Sequence, residues 1–261
     1  MKKYVSEMEV VENSMLHSHY CLLKLRSSNP LPEMTPGQFV QVLVDKSPNT
    51  FLRRPISINF VDYQHNELWL LIQLVGDGTK RMAEFKVGES VNIVYPLGNG
   101  FSIPGESDSD KRFLLVGGGV GTAPLLYLGK RLKDLGFQPC FLLGARSAGD
   151  LLQLEQFRAQ GEVFVTTEDG SAGEKGFVTN HSVLKERNFD RIYSCGPKPM
   201  MIAVARFAAS KGIDCEVSLE NKMACGVGAC LCCVEKNKEG HNVCVCTEGP
   251  VFNSKELTWL N

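Results

Sequence analysis

"FLLVGGGVGTAP", residues 113–124, joins an apolar run to a glycine-rich turn and ends on a proline. The run 113–116 is short and continuously apolar, as a strand covered on both faces must be. Glycines directly after a strand let backbone N–H groups and a helix start face a pyrophosphate. The strict G-x-G-x-x-G is absent, because Pro124 stands where its last glycine would. Alone, such a loop also reads as a plain turn. At the head of an alternating strand–helix pattern it favours nucleotide binding.

That pattern runs toward the C-terminus. Strands are expected at 140–143, 163–166, 191–194 and 215–218, with helices near 121–134, 151–160, 178–186 and 198–211. Alternation at this spacing predicts an α/β domain built on a parallel sheet. The fourth strand runs into Cys195-Gly196-Pro197. By itself this is a helix start with proline near the first turn. In register with the first glycine turn, it faces the same crevice at the carboxyl ends of the strands.

Toward the N-terminus, residues 104–111 are polar and rich in breakers, which marks a domain boundary. Before it lie six short strands, at 6–11, 20–25, 39–44, 55–61, 68–74 and 90–95, separated by Pro, Gly, Asn and Asp. They predict a closed or sandwiched β unit, interrupted by one helix at 79–85. Arg53 and Arg54 beside a strand could clamp a phosphate, and Gly78-Thr79 could offer N–H groups at a helix start. Each is equally well a surface charge or a turn.

Toward the other end, residues 223–250 hold six of the ten cysteines. Cys225-x4-Cys230-x2-Cys233 with a distant fourth cysteine is the plant-type [2Fe–2S] spacing. Zinc ribbons usually pair two C-x2-C knuckles, and one is present. Gly226 and Gly228 suit a loop wrapped closely around sulfur. Cys244 and Cys246 both qualify as the fourth ligand by position. Cys21, Cys140, Cys195, Cys215 and Cys232 read as apolar fillers. The tail carries little hydrophobic material, so a bound metal is its expected support.

The bulk composition agrees with a soluble enzyme. The 261 residues suit about two domains, and a formal charge of −1 offers no basic field for nucleic acid or membrane. No apolar run reaches the ~18 residues of a membrane helix. No secretory core follows the first lysines, so a cytoplasmic location is expected. In that compartment clustered cysteines favour metal or redox chemistry over disulfides. The five histidines lie outside every motif, so no general base is evident.

Together these features resemble the ferredoxin reductase-like flavoproteins, and the resemblance covers essentially the whole chain. It implies an N-terminal antiparallel β-barrel for FAD at 1–104, a NAD-binding α/β domain at 111–218 and a small [2Fe–2S] domain at 219–261. Arg54-Pro55-Ile56-Ser57 looks like the family's flavin motif, with Ile56 where an aromatic often stands. Leu71-Ile72-Gln73 matches the strand bordering the flavin, and Gly78-Thr79 the pyrophosphate turn. Gly119-Val120-Gly121-Thr122 opens the family's G-x-G-x-x-P, and Cys195-Gly196-Pro197 matches its C-G-P near the nicotinamide.

The tail is similar to that of the electron-transfer subunits of B-type dihydroorotate dehydrogenases. There the fourth ligand precedes x-x-G-P-V-F, which selects Cys246. The ligand set is then Cys225, Cys230, Cys233 and Cys246, with Cys195 and Glu220 near the nicotinamide as the candidate catalytic residues. The resemblance implies FAD, a [2Fe–2S] cluster and NAD as cofactors. It also implies an FMN-containing catalytic partner that oxidises dihydroorotate, in a hetero-oligomer of two chains of each kind. Electrons would pass from FMN through the cluster and FAD to NAD⁺. Close alternatives are reductase subunits of sulfide dehydrogenases, hydrogenases or ferredoxin–NADP transhydrogenases. A zinc-stabilised nucleotide-binding regulator is the alternative of another class. Arg146, after the second strand of the α/β domain, leaves NAD against NADP open.

Overall fold

Period-two alternation decides the first unit. The computed structural model describes residues 2–260. It begins with strands β1 (Tyr4–His17), β2 (Tyr20–Ser27), β3 (Phe39–Val42), β4 (Arg54–Asp62), β5 (Glu67–Gln73) and β6 (Ser90–Leu97), with helix α1 (Asp77–Met82) between the last two. They close into an antiparallel barrel in the order β1-β2-β5-β4-β3-β6. Closure leaves no unpaired edge. Every second residue turns inward: Met8 and Val10, Leu23 and Leu25, Val40 and Val42, Leu68 and Leu70 form one buried core. The alternation visible in the sequence is this inner face.

The second unit is built on longer apolar runs. Strand β7 (Phe113–Gly118) leads into helix α2 (Ala123–Asp134). Then follow β8 (Cys140–Ala145), α3 (Leu154–Arg158), β9 (Glu162–Thr167), β10 (Glu174–Lys175), α4 (Val183–Glu186), β11 (Arg191–Cys195), α5 (Lys198–Ser210) and β12 (Asp214–Ser218). In β7, Phe113 and Leu115 pack on one side with Leu125, Leu128 and Leu132 of α2. Leu114 and Val116 pack on the other with Met201, Val204 and Ala205 of α5. Both faces are covered, so the strand needs no polar alternation.

The helices expected near 151–160 and 178–186 are single turns, α3 and α4. Between them β10, which carries no apolar signal, adds a short edge to the sheet. The strand order is β10-β9-β8-β7-β11-β12-β15, where β15 (Val251–Asn253) comes from the tail. The expected parallel pairing holds from β10 to β12, and β15 runs antiparallel to β12.

The tail adds one hairpin of its own, β13 (Val234–Lys236) with β14 (Asn242–Cys244). Its apolar residues Val245, Phe252, Leu257 and Trp259 join the core on the α5 side of the sheet. A tail too short for its own core borrows one. Barrel and sheet dock through α2: Tyr127 donates to the Met34 carbonyl at 3.0 Å, and Asn59 of β4 donates to the Ala123 carbonyl at 3.0 Å. No described helix is long and apolar enough to cross a membrane.

Candidate redox cofactor sites

The cysteine loop is shaped by two glycines. Gly226 and Gly228 take φ values of +68° and +86°, which L side chains adopt only with strain. The resulting curvature turns N–H groups toward sulfur. Val227 and Cys230 each donate to Cys225 Sγ at 3.4 Å, and Gly228 donates to Cys246 Sγ at 3.2 Å. The Cys246 N–H donates to Cys233 Sγ at 3.4 Å.

The thiols lie in two pairs, Cys230 beside Cys225 and Cys233 beside Cys246, each near enough to shift its neighbour's ionisation. Two pairs of sulfurs lined by backbone donors are what a two-iron cluster requires, one pair for each iron. The Val227 N–H and the other backbone donors hold the Cys225 thiol down at about 6. Burial, with Cys233 beside it, pushes Cys246 up to about 12. Among the described residues no three ligating side chains converge on one point; it is the chemistry of the donor set, four thiols in two pairs, that fits the cluster.

Cys244 ends β14, its N–H donating to Glu248 Oε1 at 2.7 Å. Desolvation first, then the charges of Cys233, Glu248 and Cys225, raise the pKa of its thiol, which is near Thr247. Cys246 falls in the turn after the strand. The two cysteines therefore do not share a strand face, as their spacing alone suggests. Cys232 is exposed. Asn221, before the loop, reaches back to the Cys233 carbonyl at 3.4 Å.

In the barrel the two arginines part. Arg53 points to β6 and binds Asn92 Oδ1 at 2.5 Å and the Asn92 carbonyl at 3.1 Å. Arg54 folds over the Leu52 carbonyl, with its alkyl chain against the first turn of α1. A Cβ at Gly78 would stand 3.2 Å from the Arg54 Cγ and Cδ. The flavin-motif strand and the expected pyrophosphate turn thus meet at Arg54 and Gly78. Thr79 Oγ1 accepts the N–H groups of Val75 and Gly76 at 3.0 and 3.1 Å and closes that turn.

Pro55 and Ser57 lie on the outer side of β4, whereas Ile56 packs against the barrel core. Ile72 is likewise a core residue. Leu71 faces outward onto Ala123 and Leu152.

The glycine turns of the α/β domain converge at the carboxyl ends of the strands. Gly117 of β7, Cys195 of β11 and Ser218 of β12 are in register. A Cβ at Gly118 would stand 2.6 Å from Met200 Sδ, so α5 seats directly on the turn. Gly119 has φ +54°, and Thr122 Oγ1 donates to its carbonyl at 3.0 Å. Gly121 touches the Gly196 backbone, and Pro197 leads into α5.

Cys195 is buried, and burial, with Glu220 next, pushes its thiol up to about 12. It is a neutral group, unsuited as a nucleophile or base. Glu220 is exposed just beyond β12, and Arg146 just beyond β8.

Tyr20, Asn59 and Gln153, which link the barrel to the nucleotide domain, carry no sequence signal. Gln73 Nε2 donates to the Tyr20 hydroxyl at 3.3 Å, and that hydroxyl lies 3.9 Å from the position of a Cβ on Gly119. Gln153, at φ +54°, exchanges two amide hydrogen bonds with Asn59, each 3.0 Å. Single polar residues on apolar strands or loops offer no pattern to detect. The buried His181 accepts from the Val183 N–H at 3.0 Å and is a satisfied core histidine.

Residues 220–258 match the family described as the iron-sulfur cluster binding domain of dihydroorotate dehydrogenase B. A protein of Fusobacterium nucleatum named dihydroorotate dehydrogenase B (NAD(+)), electron transfer subunit, is 37% identical over 258 residues, 97% of this chain and 98% of that one. A protein of the same name from Caldanaerobacter subterraneus is 43% identical over 228 residues, 85% and 86% of the two chains. Among solved structures, that of an NADH-dependent reduced ferredoxin-NADP oxidoreductase, reported for flavin-based electron bifurcation, superposes with a TM-score of 0.86 at 30% identity. It covers 97% of this chain and 90% of that one.

Proposed function

Because the chain belongs to the family of electron transfer subunits of dihydroorotate dehydrogenase B, we propose that it delivers electrons from an FMN-containing catalytic subunit to NAD⁺, as a step of pyrimidine biosynthesis. The observation that carries this reading is the set of backbone N–H groups turned onto the sulfurs of Cys225, Cys233 and Cys246, in a tail that follows a closed barrel and a parallel nucleotide-type sheet.

Cys225 with Cys230, and Cys233 with Cys246, would hold a [2Fe–2S] cluster. Arg54, Ser57, Gly78 and Thr79 would hold FAD, its pyrophosphate taken by Arg54 and the α1 turn. Pro55 and the backbone of Ile56 would border the flavin from β4, and Leu71, the backbone of Ile72 and Gln73 from β5. When bound, the cluster supplies one-electron transfer and FAD its exchange with hydride transfer.

The chain's own work is to place and shield. Gly119 leaves room for the dinucleotide's phosphates against backbone N–H groups, while Gly121, against Gly196, and Thr122, on the Gly119 carbonyl, hold the turn's shape. Cys195, Gly196 and Pro197 border the nicotinamide with a neutral thiol and bare backbone. Glu220 stands at the rim. Gln73 holds the Tyr20 hydroxyl, which stands over the bare Gly119 of the nucleotide turn.

The reading leaves no pocket role for an organic substrate, which belongs to the partner. A complex of two chains of each kind is proposed. The test is direct: protein purified without oxygen should be red-brown, hold iron, sulfide and FAD, and reduce a dye with NADH. Co-purification from the native host should bring an FMN protein with dihydroorotate-dependent NAD⁺ reduction. Colourless protein with stoichiometric zinc would overturn the reading. A second reading, a subunit of a ferredoxin–NADP oxidoreductase, rests on the TM-score of 0.86. A ferredoxin-reducing partner in the same co-purification would favour it.

A further inference from the structure

We propose that Gln41 donates a side-chain N–H hydrogen bond to a sulfur of the iron–sulfur cluster, and so raises its reduction potential; the inference rests on the reading of the tail given above.

Alternation along β3 decides where this side chain goes. Val40 and Val42 fill the barrel, so Gln41 points out of it. It is nevertheless 1% exposed, because the cysteine loop lies over it. A Cβ at Gly226 would stand 2.6 Å from Gln41 Nε2, 2.9 Å from its Cγ and 3.1 Å from its Cδ. The carboxamide therefore rests on the bare Cα of the residue next to Cys225. Gly226 is required there twice, by its φ of +68° and by this contact.

Both ends of the carboxamide, Nε2 and Oε1, lack a hydrogen-bond partner. A buried donor and acceptor left unpaired are costly, and methionine would fill the same space without that cost. The residue is held firmly for such a role. Its strand neighbours are Pro55 of the flavin-motif strand and Val94 of β6, and its carbonyl accepts from Arg53 at 3.4 Å. The other sulfur donors, on Val227, Gly228, Cys230 and Cys246, are backbone groups of the tail. Gln41 is a side-chain donor placed by the barrel.

Nε2 bonds none of the cysteine sulfurs, so the partner that the loop would bring it is an inorganic sulfide of the cluster. An N–H bond to sulfur favours the more negative, reduced cluster and raises its potential. Gln41 also lies on the strand between the flavin motif and the cysteine loop, so the same contact seats the cluster against the flavin domain.

The test uses the full chain with its cofactors, purified without oxygen. Gln41→Met keeps the volume and removes the donor. It should retain iron, sulfide and FAD. At a fixed applied potential its ratio of reduced to oxidised cluster, read by EPR, should fall about three- to tenfold, the span one hydrogen bond's net worth implies. A fully loaded Gln41→Met with an unchanged ratio overturns the proposal. If the variant assembles no cluster, the unmodified protein decides. With ¹⁴N glutamine side chains in a ¹⁵N chain, the reduced cluster should show a ¹⁴N hyperfine coupling, and its absence overturns the proposal. Native protein lacking iron altogether would instead remove the reading of the tail, and metal analysis alone detects that.

Discussion

Gly121 and Gly196 are in backbone contact: a Cβ on Gly121 would stand 2.4 Å from the Gly196 Cα and 2.5 Å from its nitrogen. The two turns that close the carboxyl end of the sheet therefore hold each other's shape. Neither backbone can yield without moving its strand.

Gly121→Ala should consequently damage nucleotide binding while sparing the barrel. NADH-dependent dye reduction is expected to fall at least tenfold (roughly 1.4 kcal/mol or more) through a raised KM. Bound FAD and iron should stay at native content. Native activity in the alanine variant would show that the turns can separate.

The diverging arginines give a paired test. Arg54→Met should release FAD, because it keeps the alkyl chain against the α1 turn and removes the guanidinium held on the Leu52 carbonyl. Arg53→Met should keep FAD and lower stability by about 1–2 kcal/mol, because the Asn92 contacts between strands disappear. Flavin absorbance after gel filtration and a urea titration separate the two. Flavin loss from Arg53→Met alone would reverse the assignment.

Cys246→Ser should lose the visible cluster absorbance and the EPR signal of the reduced protein. Cys244→Ser should retain both, since the backbone donors turn onto the sulfurs of Cys225, Cys233 and Cys246. The opposite result would make Cys244 the fourth ligand.

Alkaline pH should destabilise the chain. Burial raises the thiols of Cys21 to about 11 and of Cys140, Cys195 and Cys215 to about 12. In the unfolded chain a thiol ionises near ~8.5. The folded state thus holds protons that the unfolded state releases. Stability is complete below the unfolded value and falls as pH rises toward 11–12. Each thiol adds a slope of up to ~1.4 kcal/mol per pH unit. Urea unfolding at rising pH under reductant should show Cys215→Ala with a shallower decline than the native chain. An equal decline would assign the lability to other groups.

Much of the architecture was legible because its signals are local. Short alternating or apolar runs between turn residues marked all six barrel strands, though β1 continues to His17 beyond its expected end at 11, and apolar runs marked β7, β8, β9, β11 and β12 within a residue or two. The short helices α3 and α4 were overestimated, because polar–apolar periodicity persists in turns that end early. Strand β15 escaped, because its three residues become a strand only when β12 offers an open edge. At the sites, glycine turns and cysteine spacing announced themselves. Tyr20, Asn59 and Gln153 did not, since each acts through a partner far away in sequence.

What the amino-acid order determined by itself was the chemistry on offer: cysteine spacing suited to two irons, glycine turns for phosphates, and two alternating patterns for two units. Those features depend on residues within a few positions of each other, where φ preferences and side-chain period act directly. Only the tertiary structure decided which of two adjacent arginines meets Gly78, that Cys246 lies in a turn beside Cys233, and that the tail shares the sheet's core. It also brought Gln41 of β3 beneath Gly226. Such contacts are set by the packing of units distant in sequence, and no local preference specifies them.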